Sequence, residues 1–94
     1  MLIIAGSLRV SRTQRDAYVA DSVPVVEAAR STDGCLDFSI CADTVESDRV
    51  LVYERWETEE QLLAFRGAGP SDDQQAAILD ADVKRYTISS VGEP

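Results

Sequence analysis

Ninety-four residues, 45% hydrophobic and 28% charged, suffice for one folded domain with a small core and are too apolar for a disordered chain. Nine basic residues against 17 acidic ones leave a net charge of −8, which repels phosphate backbones and argues against nucleic acid as a partner. The chain has no histidine, its two cysteines form no cluster, and its carboxylates show no spaced ligand motif, so zinc or haem ligation by His is excluded and no metal is expected.

The opening segment, Met1-Leu2-Ile3-Ile4-Ala5-Gly6-Ser7-Leu8, is apolar but too short to span a bilayer, and it lacks the basic region of a signal peptide. It reads as part of a first strand, Leu2–Val10, and the protein as cytoplasmic with no membrane partner. Ser11-Arg12-Thr13 turns the chain, with Thr13 and Asp16 spaced as a capping box. A helix follows over Gln14–Arg30, with Tyr18, Val19, Ser22, Val23, Val26 and Ala29 on one face. Pro24 removes a backbone donor inside it, which predicts a kink or a break. Ser31-Thr32-Asp33-Gly34 is a turn, with Gly34 suited to positive φ.

The second strand is Cys35–Ala42, with Leu36, Phe38 and Ile40 on one side and Asp37 and Ser39 on the other. Cys35 and Cys41 lie roughly 20 Å apart along it, too far to bond, and read as free buried thiols of a reducing compartment. A polar connection leads to the third strand, Arg49–Trp56. Val52, Glu54 and Trp56 share one face of it; Leu51, Tyr53 and Arg55 share the other. Thr58 is a candidate helix N-cap, with Gln61 completing a capping box. The second helix runs Glu59–Arg66 and stops at Gly67. Gly67-Ala68-Gly69-Pro70 is a stiff breaker, Ser71 caps a short helix to about Leu79, and Val83–Ser90 is the fourth strand.

The order β-α-β-β-α-β is an α+β, ferredoxin-like split βαβ arrangement with an antiparallel sheet and helices on one face. Ile3, Ala5, Ser7, Leu51 and Tyr53 fall on the open face. That surface is too apolar to leave in water, which predicts a homodimer through the sheet face.

This order, together with Tyr53-Glu54-Arg55-Trp56-Glu57-Thr58-Glu59-Glu60-Gln61-Leu62, resembles the antibiotic biosynthesis monooxygenase domain family. Asp33-Gly34-Cys35-Leu36, after a helix ending Ala28-Ala29-Arg30, and Phe65-Arg66-Gly67 add to the likeness. It covers Leu2 to Ser90, and residues 1–94 read as a single such domain. The resemblance implies a dimeric α+β barrel, with a pocket in each subunit between sheet and helices. Some members oxidise phenolic polyketides such as anthrones to quinones with molecular oxygen and no metal or flavin. Others degrade haem, and a third group acts on small quinone or signalling molecules.

Trp56 matches the tryptophan of the anthrone-oxidising members. Their asparagine four residues earlier is Val52 here, and their tyrosine six residues later is Leu62. The haem-degrading branch requires an asparagine where this chain has Gly6 or Ser7, a tryptophan near Phe65 and a histidine; that chemistry is set aside.

The expected reading is a cofactor-independent monooxygenase acting on a small phenolic or quinol-type aromatic. Trp56, Arg66 and Glu54 are the catalytic candidates, and Val52, Leu62, Phe65, Phe38 and Tyr18 line the substrate. Each has a structural alternative. Trp56 either lines the pocket or fills the core, and Arg66 either clamps an anion or caps its helix. Glu54 is either a general base or the salt-bridge partner of Arg30 or Arg66. The same fold also serves as a non-catalytic small-molecule-binding module, favoured by the missing Asn and Tyr, or as a cofactor-free isomerase or cyclase.

Overall fold

The computed structural model describes residues 1–67 and 72–94. Its first strand, β1 (Leu2–Arg9), turns Leu2, Ile4 and Leu8 inward and leaves Ile3, Ala5 and Ser7 half-buried on the opposite face. Val10 is also buried, with its N–H bonded to the Asp48 carbonyl at 3.0 Å.

The long first helix is two helices, α1 (Arg15–Asp21) and α2 (Val23–Arg30), meeting at Ser22, with Pro24 in the first turn of α2. Proline is tolerated there because the first N–H groups of a helix have no intrahelical partner. Thr13 does not cap α1: the N-cap is Gln14, without a side-chain bond, and the Thr13 hydroxyl pairs with Ser11 at 2.9 Å. The break also shifts the apolar stripe, leaving Val23 49% exposed while Val25 and Val26 pack against the core.

Gly34 adopts φ 87°, as its turn requires, and a Cβ there would strike the Gln61 carboxamide. In β2 (Cys35–Ala42) the register slips between Cys35 and Asp37. Cys35 opposes Trp56 and Asp37 opposes Arg55, so Leu36 is an extra residue in a bulge and is 38% exposed rather than beside Phe38. Phe38 and Ile40 keep the inward face. Cys41 is exposed and Cys35 half-buried, both free, so the two buried thiols expected from the sequence are not found.

After β3 (Arg49–Trp56), Thr58 caps α3 (Glu59–Arg66) by accepting the Gln61 N–H at 3.2 Å. Gly67 ends α3 with ordinary helical angles. Ala68, Gly69, Pro70 and the Ser71 cap lie outside the described residues. A short helix, α4 (Asp72–Ala77), leads to β4 (Asp80–Thr87), which starts three residues earlier and ends three earlier than its β propensity suggests. Pairing with β1 sets its length: Asp80 opposes Arg9 and Thr87 opposes Leu2. Tertiary pairing overrides the poor strand propensity of Asp80, Ala81 and Asp82.

The four strands form one antiparallel sheet in the order β2-β3-β1-β4. The fold is α+β and ferredoxin-like, and the sheet does not close on itself within one chain. Two apolar clusters fill the space under the helices. One joins Leu2, Ile4, Ala29, Phe38, Trp56 and Leu62; the other joins Leu8, Val10, Tyr18 and Val50. Between them the inward position of β1 is Gly6, opposite Val52 and Val83. Its φ of 156° and the closeness of the Asp82 carbonyl leave no room for a side chain. Among the described residues no helix is long and apolar enough to cross a membrane.

Candidate functional site

Strand alternation puts Glu54 and Trp56 on the inward face, with Glu54 opposite both Ile4 and Phe38. Where β3 ends, the Glu57 N–H bonds to the Gly34 carbonyl at 2.9 Å, and the Thr58 cap turns the chain into α3. That junction brings Leu62 and Phe65 down onto Trp56. Leu62 and Trp56 are fully buried. The Phe65 ring lies 5.4 Å from Trp56, tilted by 35°, and 5.7 Å from Phe38, edge-on at 69°.

Within this apolar shell the Trp56 indole N–H donates to Glu54 Oε1 at 3.0 Å. Glu54 is only 7% exposed. Burial pushes its carboxyl above the ordinary value of 4.5, opposed first by the indole hydrogen bond and then by the charge of Arg66. The anticipated salt bridge does not form. Arg30 donates to the Phe38 carbonyl at 2.9 Å and to the Ser39 hydroxyl at 3.4 Å, covering the outer edge of β2. Arg66 is exposed at the end of α3, within electrostatic reach of Glu54 but unpaired among the described residues.

Of the residues singled out by sequence, Trp56, Glu54, Leu62, Phe65 and Phe38 therefore form one group, with Arg66 at its edge. Tyr18 and Val52 belong to the second cluster. Tyr18 also lines a cleft of about 510 Å³, together with Gln14, Ala17, Asp21, Val25, Gln74 and Ala77. Sequence reading missed this cleft. Its signal is the stripe Gln14, Tyr18, Asp21, Val25, which stays on one side through the kink and carries small Ala17 beside it. Burial raises the Tyr18 phenol above its usual value. Among the described residues no group of three or more His, Cys, Asp or Glu is placed to hold a metal ion.

The sequence profile of a family described as antibiotic biosynthesis monooxygenase matches residues 1–81. A Deinococcus radiodurans structure, provisionally assigned to antibiotic biosynthesis monooxygenases, superposes with a TM-score of 0.86 at 19% identity, covering 100% of this chain and 98% of that one. A Chloroflexus aurantiacus structure with the same provisional assignment gives a TM-score of 0.73 at 26% identity, covering 99% and 96%. Among curated proteins, the uncharacterized sll1783 of Synechocystis is 28% identical over 61 residues, which are 65% of this chain and 42% of that protein. The chain thus matches less than half the length of that relative.

Proposed function

Because the chain belongs to the antibiotic biosynthesis monooxygenase family, we propose that it is a cofactor-independent monooxygenase that oxidises a small phenolic or quinol-type aromatic with molecular oxygen. The observation that carries this reading is the buried Glu54 carboxyl, held at 3.0 Å by the Trp56 indole inside an aromatic shell. Burial makes an ionised Glu54 a stronger base than a solvated carboxylate. The substrate ring lies against half-buried Phe65, with Phe38 and Leu62 behind it and Val52 and Tyr18 bounding it from the second cluster.

Glu54 takes a proton from the activated CH₂ of the ring, and Arg66 stabilises the resulting anion. The carbanion adds oxygen by electron transfer and recombination, forming a C–O bond to a peroxide anion. That anion regains a proton, and the hydroperoxide loses water to leave a carbonyl. One oxygen molecule and one CH₂ give one C=O and one water, so no external reductant is consumed. The protein binds, deprotonates and keeps water out.

Ile3, Ala5, Leu51 and Tyr53, half-buried on the open sheet face, support a homodimer through that face. The unbonded Cys35 and Cys41 support a cytoplasmic setting. Incubation with an anthrone under air and under nitrogen tests the reaction: turnover requires oxygen, and undiminished turnover without it contradicts the proposal. The complete burial of Trp56 favours a second reading, a non-catalytic binding module of the same fold, which would bind aromatics and consume no oxygen.

A further inference from the structure

The aromatic shell leaves no way in to Glu54. Glu54, Trp56, Leu62 and Phe38 are all buried, Trp56 and Leu62 completely. The clefts of about 510 and 410 Å³, beside α4 and between α2 and β2, are lined by neither Glu54 nor Trp56. Phe65 is the half-buried aromatic of the shell. Its ring centroid lies 5.4 Å from that of Trp56 and 5.7 Å from that of Phe38. Carbon atoms in contact stand about 3.5–4.0 Å apart, so a flat ring held between two others needs them about 7–8 Å apart. Phe65 therefore has to withdraw by about 2 Å before a ring fits beneath it.

The sheet side does not yield, because β3, which carries Glu54 and Trp56, is paired along both edges, with β1 and with β2. On the other side, α3 is held unevenly. Its first turn is fixed by the Thr58 hydroxyl, which accepts the Gln61 N–H at 3.2 Å, by the Gln61 carboxamide packed against Gly34, and by the Glu59–Arg85 pair at 2.7 Å. Buried Leu62 follows at once. In the last turn Leu63, Ala64 and Arg66 are exposed, as is Gly67 beyond it, and Arg66 has no hydrogen-bond or ion-pair partner among the described residues. The Phe65 ring alone ties that turn to the core. Phe65 lies about 10 Å along the helix from Thr58, so a shift of about 2 Å there is a tilt of about 10°.

We propose that the last turn of α3 is the gate to Glu54: it tilts about the Thr58 cap, lifts Phe65 off Trp56 and Phe38 to admit an aromatic ring, and closes Phe65 over it. Arg66 shares the moving turn, so the covering ring and the cation that meets the anion arrive together. Closure restores the dry shell in which Glu54 acts as a base. The gate deepens the oxygenase reading by naming how its site opens, and rests on that reading for the identity of what enters.

The test is stopped-flow quenching of Trp56, the only tryptophan, by anthrone under nitrogen, where binding proceeds without oxidation. Circular dichroism confirms that each variant folds. In wild type the observed rate should level off with rising anthrone concentration, at a plateau set by opening. Phe65→Leu, which keeps an apolar side chain but removes both ring contacts, should raise that plateau about tenfold or abolish it. Leu63→Ala, on the exposed side of the same turn, should leave it unchanged. A wild-type rate that stays linear in anthrone, a plateau unmoved by Phe65→Leu, a plateau raised equally by Leu63→Ala, or no quenching at all would overturn the gate. The expected plateaus with no oxygen uptake in air keep the gate and remove the oxygenase. Oxygen uptake with linear binding keeps the oxygenase and removes the gate.

Discussion

Glu54 is a carboxyl placed among Ile4, Phe38 and Trp56, where water does not solvate it, and a single indole N–H holds it. Its folded pKa lies above the ordinary 4.5, so over the interval between the two values the folded chain retains a proton that the unfolded chain has released. The stabilising contribution is complete below the ordinary value and is lost as pH rises through the raised one. Asp43 runs the other way: backbone N–H groups of Glu46 and Val45 and the Arg49 guanidinium lower its pKa, so its contribution is lost as pH falls. Glu54→Gln separates the two, because the amide oxygen still accepts the indole N–H but does not titrate. Chemical denaturation across pH 4 to 8 should show wild type losing stability relative to Glu54→Gln as pH rises; a constant difference would contradict the buried acid. Trp56→Phe removes the donor and leaves both a void and an unsatisfied carboxyl, costing about 2–4 kcal/mol in the same assay. The alternation along β3 made the shared face of Glu54 and Trp56 legible in the sequence. Their direct bond was not, because a carboxylate with two arginines in prospect reads as an ion pair. Only the fold shows Arg30 committed to the β2 edge.

At the scale of elements, α3 is positioned from its first turn. Thr58 accepts the Gln61 N–H, Glu59 and Glu60 favour the positive end of the helix, and Glu59 pairs with Arg85 of β4 at 2.7 Å. The exposed ion pair contributes little by itself. The cap matters more, and Thr58→Ala should cost about 1 kcal/mol, read as a fall in Tm of about 4–8 °C. A fall within error would show that packing of Leu62 and Phe65 alone fixes α3. This junction was readable in advance because capping is local chemistry within four residues. The Pro24 break was readable for the same reason. The Leu36 bulge and the true limits of β4 were not, since both are set by partners far along the chain: Trp56 and Arg55 for the bulge, β1 for β4. The Tyr18 cleft escaped for a related reason, because Gln74 and Ala77 of its lining come from α4, whose docking on Ser22 spans 52 residues.

At the scale of the molecule, the open sheet face carries Ile3, Ala5, Leu51 and Tyr53, and Arg55 beside them has a buried Nε with no hydrogen-bond partner among the described residues. A buried unsatisfied donor on a face left open by the chain is explained if a second copy supplies the acceptor. Sedimentation equilibrium should therefore give twice the 10.3 kDa chain mass, and Tyr53→Glu should shift the balance toward monomer. A monomer at micromolar concentration would contradict a closed two-sheet barrel. Oxidation by oxygen with the protein's own side chains is measured with an oxygen electrode. Chelator-treated protein, wild type and Glu54→Gln, is given an anthrone in air-saturated buffer. Wild type should consume one oxygen per quinone formed, and Glu54→Gln should lose about a hundredfold or more in rate. No uptake above the spontaneous rate, or equal uptake by Glu54→Gln, would contradict it.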